Sequence, residues 1–218
     1  PFSHISIAQY LSNLIPEESV VQFAILNSLR IWNFYCLKDS IQCYSNVGAF
    51  GIDGGLSTLI GQSMVTHNLC FMITGDLAFY YDMNSLGIRH IKNNLRVLII
   101  NNNGGIEFKL GNVDNNKIDR YIAAAGHFKN AEGWAKTCGF LYLNADNEEK
   151  FQLEAKKFVS ISDRPIIFEV FVSDIDEAQA YNQIIRDNKK SNFTNIIKNN
   201  IKDVLSNSTI NKIKNIIK

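Results

Sequence analysis

The chain has 218 residues, of which 46% are hydrophobic and 20% are charged, and its formal net charge is +1. This composition excludes a largely disordered chain and fits one sizeable α/β core with an appendage. The net charge argues neither for nor against a polyanionic partner. We expect no nucleic-acid partner, and no apolar run reaches the roughly 18 residues of a membrane span. Four cysteines without a C-x-x-C pair predict structural thiols in a reducing cytoplasm.

Apolar runs of strand length alternate with amphipathic stretches along most of the chain. The acidic first turn Pro16-Glu17-Glu18 predicts a helix that extends to about residue 31. The other predicted elements, in chain order, are strand 41–45, helix 54–66, strand 69–74, helix 77–91, strand 95–101, helix 129–138, strand 140–143, helix 147–160 and strand 166–171. This alternation indicates an α/β fold with a doubly wound, mostly parallel sheet flanked by helices.

The C-terminal segment changes in character. From Arg186 onward it contains eight Lys or Arg residues and only two Asp, together with many Asn and Ile. The spacing of its isoleucines predicts two short amphipathic helices, at about 196–205 and 210–217. We therefore expect a main domain at 1–185 and a basic helical tail at 186–218. The tail is expected to pack on its own domain or on a neighbouring subunit, although a basic amphipathic pair can also touch an acidic membrane surface or nucleic acid.

Two polar motifs follow two of the buried strands. Gly75-Asp76-Leu77 ends the apolar run at 69–73, and the segment 101–105, Asn-Asn-Asn-Gly-Gly, ends the run at 95–100. Ligands of open α/β sheets bind at the carboxyl ends of strands. An acidic side chain, an amide and an open glycine backbone suit a hard cation such as Mg²⁺ that is shared with a phosphate group. The two motifs therefore indicate a divalent metal site that holds a diphosphate.

In this combination and spacing, the motifs resemble the signature of thiamine diphosphate (ThDP) enzymes. The segments 45–54, Ser-Asn-Val-Gly-Ala-Phe-Gly-Ile-Asp-Gly, and 82–84, Asp-Met-Asn, are most similar to the menaquinone-pathway branch, the succinyl-enolpyruvyl-hydroxycyclohexene-carboxylate synthases. The resemblance extends from about Asn27 to about Val172. It implies the ThDP-binding fold, with ThDP and Mg²⁺ as cofactors.

The resemblance also implies roles for individual residues. Asp76 and Asn102 would bind Mg²⁺ through their side chains, and Gly104 through its carbonyl. Ile52 would support the bent shape of ThDP. The remaining positions that the resemblance assigns to cofactor binding are Asn46, Gly75, Leu77, Ala78 and Phe108, and for Leu77 and Ala78 the expected donors are backbone N–H groups. The alternative is that Asp76 only caps a helix and that Asn-Gly only forms a turn.

Three positions depart from the branch. The synthases have arginines where this chain has Val47 and Trp32, and they have an aliphatic residue where it has Glu107. Those arginines meet substrate carboxylates, and neither Val nor Trp can make the paired charge-assisted hydrogen bonds of a guanidinium group. We therefore expect the cofactor chemistry to be kept and the dicarboxylate substrates to differ.

ThDP enzymes bind the cofactor between a diphosphate-binding and a pyrimidine-binding domain, and the latter carries the activating glutamate. We expect this sequence to contain only the first kind. We expect it to be the C-terminal part of a longer protein, or a separate small subunit, and to be inactive alone. The complete enzyme would be a homodimer or homotetramer.

The predicted activity is that of a ThDP-dependent carboligase or decarboxylase acting on a 2-oxo acid. Loss of CO₂ would be followed by transfer to a second carbonyl or by protonation, and we favour carboligation. The catalytic residues of this chain are unknown, and Glu107 and His127 are weak candidates. A non-catalytic regulatory or assembly subunit that retains the fold is an alternative. Nucleotide binding is a weaker hypothesis for the function, because the sequence has no G-x-G-x-x-G motif and no Walker A motif.

Overall fold

The computed structural model describes residues 1–109 and 126–188, with the backbone alone at 108 and 109. By its contacts the chain divides into two units, 1–181 and 182–218. Only residues 182–188 of the second unit are described. The predicted tail helices therefore lie outside the described residues, and the predicted domain boundary at 185 stays a prediction.

The predicted α/β fold is confirmed: the described residues form six strands in one parallel sheet, flanked by helices. The strand order is β2-β1-β3-β4-β6-β5. The strands are β1 (Val20–Phe23), β2 (Gln42–Ser45), β3 (Cys70–Gly75), β4 (Leu95–Asn101), β5 (Leu141–Ala145) and β6 (Ile166–Phe171). The helices are α1 (His4–Leu14), α2 (Asn27–Trp32), α3 (Gly55–Val65), α4 (Asp76–Asp82), α5 (Glu132–Thr137), α6 (Glu148–Phe158) and α7 (Asp174–Asn188).

The two faces of the sheet carry different helices. Alternate residues of β3 and β4, such as Met72 and Val97, pack with α3, α4 and α5 in one apolar cluster. Phe71 and Phe168 point to the other face, where their rings contact Phe158 of α6. Every residue of β4 is buried, as expected for a central parallel strand covered on both faces. No helix in the described part of the chain is long and apolar enough to cross a membrane.

The prediction of a helix that starts at Pro16 is wrong. Val20–Phe23 is a fully buried strand that pairs with β2 on one side and β3 on the other. Glu18 has a φ of 60° and lies in the turn that leads into this strand. Four consecutive buried residues are typical of an interior parallel strand, and pairing in the sheet overrides the helical start signal of proline and two acids.

Two further helices flank the expected ones, and one expected helix is shorter than predicted. Helix α1 begins at a reciprocal cap between Ser3 and Ser6, and α7 begins after Ser173, whose hydroxyl accepts from the N–H of Asp176. The helix expected at 77–91 ends at Asp82 and continues as a 3-10 turn, Met83–Gly87. Asp82 instead holds the start of α3, because its Oδ2 accepts from both the N–H and the hydroxyl of Ser57.

A hydrogen bond between α1 and α7 joins two buried titratable residues. The backbone N–H of His4 donates to Glu177, and both residues are buried. Burial raises the pKa of Glu177 to about 7, opposed by the His4 hydrogen bond, and burial lowers the pKa of His4 to about 3. The folded chain therefore retains a proton on Glu177 in a pH range where the unfolded chain has lost it.

This shift predicts a pH-dependent effect of Glu177→Gln. Between an unfolded pKa of 4.5 and a folded pKa of about 7, ionisation destabilises the wild type but cannot affect the variant. The free energy of unfolding of the variant, relative to wild type, should rise by about 3 kcal/mol as the pH increases across this window. Because His4 is present in both proteins, its opposite slope cancels in the difference.

Urea unfolding of both proteins at several pH values measures this difference. The same substitution at the exposed Glu149 of α6 serves as the control. A difference between wild type and Glu177→Gln that stays constant with pH would contradict the prediction.

Candidate functional site

A cavity of about 220 Å³ lies at the carboxyl edge of the sheet. From β1 the chain moves outward to β2, and it then crosses to β3 on the opposite side of β1, so that β1 and β3 form the topological switch point of the sheet. Such a point opens a crevice in which ligands of open α/β sheets bind. The cavity is lined by the residues that follow β1, β3 and β4, among them 24–27, 75–78 and 104–107, together with His4, Ile52, Ile100 and Asn102.

Asp76 is the charged centre of this cavity. It is the first residue of α4, and only 2% of its surface is exposed. Its Oδ1 accepts from the N–H of Leu77 at 2.7 Å, and its Oδ2 accepts from the N–H of Gly104 at 3.0 Å. Burial raises the pKa of Asp76, and the two backbone donors together with His127 counteract the shift. A buried carboxylate of this kind is stabilised by a cation at its oxygens.

His127 is the third partner of Asp76. Its Nε2 lies 3.1 Å from Asp76 Oδ2, and its Nδ1 accepts from the N–H of Lys129 at 3.0 Å. Because Nδ1 is an acceptor, the proton of a neutral imidazole is on Nε2, which donates to Asp76. The backbone N–H of His127 also donates to the carbonyl of Asn103 at 2.9 Å. His127 therefore contacts both motifs of the site, and whether it takes part in catalysis stays a prediction.

The three asparagines after β4 have different environments. Asn101 is fully buried, and its Oδ1 accepts from the N–H of Asn103 at 3.1 Å. Asn103 is exposed, with a φ of 62°, a left-handed conformation that asparagine tolerates better than most residues. Within the described part of the chain, no group hydrogen-bonds to the buried Oδ1 of Asn102. An amide oxygen without a partner, beside a buried carboxylate, fits the ligand preference of Mg²⁺.

The donor set at this edge mixes different chemical groups. In the described ranges, no cluster of three or more His, Cys, Asp or Glu side chains is placed to hold a metal ion. The predicted set contains one carboxylate, one amide oxygen and one backbone carbonyl, those of Asp76, Asn102 and Gly104. All three residues line the same cavity.

The glycine-rich turn after β2 brings Ile52 into the cavity, whereas Asn46 holds the turn from outside the cavity lining. Asn46 Oδ1 accepts from Nε2 of the buried Gln22 at 3.0 Å, and its Nδ2 donates to the carbonyl of Gly54 and to Thr58 Oγ1. Gly54 has a φ of 78°, which glycine adopts without strain, and α3 starts directly after it. Gln22 lies under a turn that the chain reaches only 24 residues later.

For three of the other four residues predicted to contact the cofactor, the structure shows a place in the cavity lining. Gly75, Leu77 and Ala78 line the cavity, and in this structure the N–H of Leu77 is donated to Asp76. Phe108 lies in the 3-10 turn Ile106–Lys109, and its side chain is outside the described residues.

Glu107 forms an ion pair at the cavity wall. Both of its carboxylate oxygens accept from Nη1 of Arg30, at 2.7 and 3.0 Å, and the same Nη1 donates to Oδ1 of Asn27 at 2.7 Å. The hydrogen bond to Glu107 raises the pKa of Arg30. Glu107 and Asn27 line the cavity. The charge of Glu107 is therefore neutralised by an arginine of α2.

Sequence reasoning missed the residues that connect distant segments of this site. Arg30, His4 and the buried polar residues Gln22 and Glu169 of β1 and β6 fall in this group. For Gln22 and Glu169 the sequence did contain a signal, since each is a single polar residue within an apolar strand. For Arg30 no local signal exists, because its partner Glu107 lies 77 residues away.

The positions that depart from the synthase pattern have contrasting surroundings. Trp32 is buried, its ring packs on Phe23, and its Nε1–H donates to Nε2 of His4 at 3.1 Å. Val47 is 56% exposed. The indole therefore fills the core beneath α2, and the loss of the two arginines stays a prediction.

Comparison with known proteins agrees with the resemblance that the motifs predict. The chain is 34% identical over 182 residues to 2-succinyl-5-enolpyruvyl-6-hydroxy-3-cyclohexene-1-carboxylate synthase of Bacteroides fragilis. The matched residues make up 82% of this chain and 33% of the synthase. The synthases of Phocaeicola vulgatus and Christiangramia forsetii are each 34% identical over 173 residues, covering 78% of this chain and 31% and 30% of the respective synthases. No protein-family model matches the chain.

The six-stranded parallel sheet and the two strand-end motifs thus define an α/β domain with a ligand-binding crevice at its switch point. The chain is a homologue of the 2-succinyl-5-enolpyruvyl-6-hydroxy-3-cyclohexene-1-carboxylate synthases, as its motifs predict. It spans about a third of the length of the curated relatives that it matches.

The contrast between neighbouring asparagines yields a stability prediction. Asn102→Ala removes an amide that has no partner for its oxygen among the described residues, so the free energy of unfolding without ligand should stay the same or rise. Asn101→Ala breaks hydrogen bonds to Asn103, Lys129 and Glu169 and should lower it by about 2 kcal/mol or more. Denaturant unfolding of the two variants tests the contrast, and an equal loss of stability would contradict it.

Proposed function

We propose that this chain is the diphosphate-binding domain of a thiamine diphosphate-dependent enzyme that forms or breaks a C–C bond of a 2-oxo acid. The observation that carries the proposal is the meeting of Asp76, Asn102 and Gly104 in one cavity at the switch point, with an Asn102 oxygen that has no partner among the described residues. Homology to the synthases supports it. As in the named relatives, we favour synthesis of a bond, hence a carboligase, over simple decarboxylation.

The residues of this chain have separable tasks in the proposed enzyme. Asp76, Asn102 and the carbonyl of Gly104 would hold Mg²⁺, and the metal would hold the diphosphate. Ile52 projects into the cavity from the turn fixed by Asn46 and would press the cofactor into its bent form. ThDP supplies the electron sink for loss of CO₂ from a 2-oxo acid. The apolar cavity wall formed by Ile25, Ile100 and their neighbours would exclude water from the reacting groups.

The proposed enzyme needs a second domain. A pyrimidine-binding domain with the activating glutamate would come from the same full-length chain or from another subunit, in a homodimer or homotetramer. Large apolar side chains beside the site support such a partner: Val47 and Phe50 of the glycine-rich turn and Phe128, next to His127, are exposed. Exposed apolar side chains of this kind are typical of surfaces that a partner covers.

The cofactor proposal predicts metal-dependent binding of ThDP. Calorimetry should use the complete protein that includes the pyrimidine-binding domain, with and without Mg²⁺. Asp76→Ala should weaken ThDP binding by at least about 100-fold, because it removes the only carboxylate of the expected ligand set. The exposed Asp163→Ala serves as the control. Tighter binding of NAD than of ThDP, or no binding of ThDP by the complete wild-type protein, would contradict the proposal.

The ion pair at the cavity wall predicts the substrate preference. Because the charge of Arg30 is paired with Glu107, we expect the wild type to prefer a monocarboxylate such as pyruvate to a dicarboxylate such as 2-oxoglutarate. Glu107→Gln should raise kcat/KM for 2-oxoglutarate relative to pyruvate by about tenfold, since the freed guanidinium can pair with the second carboxylate.

Steady-state kinetics with the two 2-oxo acids measures this ratio. Glu132→Gln, which removes an exposed surface ion pair with Lys136, is the matched control. Adding Arg30→Ala to Glu107→Gln should abolish the gain. A ratio that does not change in Glu107→Gln would show that the pair does not set the preference.

A further inference from the structure

A buried carboxylate lies beneath the loop that carries the expected metal ligands. Glu169 is on β6, in the middle of an apolar strand, and it is 0% exposed. It pairs in the sheet with Ile99 of β4, two residues before the end of that strand. Glu169 is not among the residues that line the cavity, so it would act there only through its neighbours.

Three hydrogen-bond donors converge on this carboxylate. Asn101 Nδ2 donates to Oε1 at 2.7 Å, and the backbone N–H of Ala131 and the hydroxyl of Tyr142 donate to Oε2 at 2.8 and 2.7 Å. Burial and the contact with Glu169 raise the pKa of Tyr142. A carboxylate only accepts hydrogen bonds, and here it accepts from donors on three separate segments of the chain. A buried charge is tolerated only when it is satisfied in this way.

The hydrogen bonds continue from Glu169 to the cavity. Asn101, held by Glu169, accepts from the N–H of Asn103 and donates to the carbonyl of Lys129 at 3.0 Å. The carbonyl of Asn103 accepts from the N–H of His127. One side chain therefore fixes both the loop at 101–104, which contains Asn102 and Gly104, and the segment at 127–131, which returns to the site.

We propose that Glu169 is a positioning residue that holds the loop 101–104 and the segment 127–131 in the arrangement that cofactor binding requires. It acts through Asn101 and touches neither metal nor cofactor. The identity of the ligand rests on the proposed function, whereas the ordering of the loop does not.

A glutamine at this position would keep the size but not the hydrogen-bonding pattern. One end of the amide is a donor, so Nε2 would face either the amide of Asn101 or the N–H of Ala131, both of which are donors. Asn101 or Ala131 would lose its hydrogen bond to residue 169. Tyr142→Phe removes the third donor and leaves both of these contacts in place, so it controls for a disturbance of the same cluster away from the loop.

The experiment uses the complete protein and two readouts. Hydrogen exchange of the backbone amides of Asn103 and Gly104, measured by mass spectrometry without cofactor, reports on the loop itself. Calorimetry with ThDP at saturating Mg²⁺ reports on binding. The variants are Glu169→Gln, Asn101→Ala, their combination and Tyr142→Phe. Asn101→Ala carries the test alone if Glu169→Gln does not fold.

We expect exchange at these two amides and the Kd for ThDP to rise at least about tenfold in Glu169→Gln and in Asn101→Ala. The losses in the double variant should be smaller than the sum of the single losses, because both substitutions act on the contact between residues 101 and 169. Tyr142→Phe should bind like wild type. Wild-type exchange and affinity in both single variants, additive losses in the double variant, or an equal loss in Tyr142→Phe would overturn the proposal.

The two proposals fail in different ways. If the wild type does not bind ThDP, the proposed function fails. The exchange data on the unliganded protein then still decide whether Glu169 orders the loop, since they need no ligand.

Discussion

The parallel pairing of β3 with β4 is the constraint on which the site depends. Gly75 lies opposite Ile100, so Asp76 leaves the sheet beside Asn101 and the loop that follows it. In this register the N–H of Gly104 donates to Asp76 and joins the two motifs. A slip by one residue would turn the side chains to the other face of the sheet and separate the two motifs. The strand order reverses between β1 and β3, which run parallel, and this switch opens the crevice at the same edge.

Single polar residues inside the apolar strands hold the loops at the carboxyl and amino ends of the strands. Gln22 supports the glycine-rich turn, and Glu169 with Asn101 supports the loop after β4, all on the face that packs against α3 and α5. Arg96 points to the opposite face, where its guanidinium donates to the carbonyls of Asn93, Leu95, Phe158 and Ser160 and secures the end of α6. Each buried polar group has partners that come from distant segments, so its cost is offset only when the whole sheet is assembled.

The cavity combines groups that favour a cation with a wall whose charges are already neutralised. Asp76 is buried and partnered by hydrogen-bond donors, whereas Glu107 is neutralised by Arg30. We interpret this contrast as the separation of a cofactor-binding region from a substrate-facing region. The curated homologues are about two and a half times as long as this chain, which fits the proposal of a second domain.

The sequence by itself determined the fold class, five of the six described strands and the two motifs, because long apolar runs and strand-end glycines are local signals. It mistook β1 for a helix, since the proline and acids at 16–18 favour a helix start and only pairing with β2 and β3 makes 20–23 a strand. Only the tertiary structure joined Arg30 to Glu107, His127 to Asp76 and Glu169 to Asn101. The partners in these pairs lie 51 to 77 residues apart, and no local pattern encodes which buried polar groups will meet when parallel strands align.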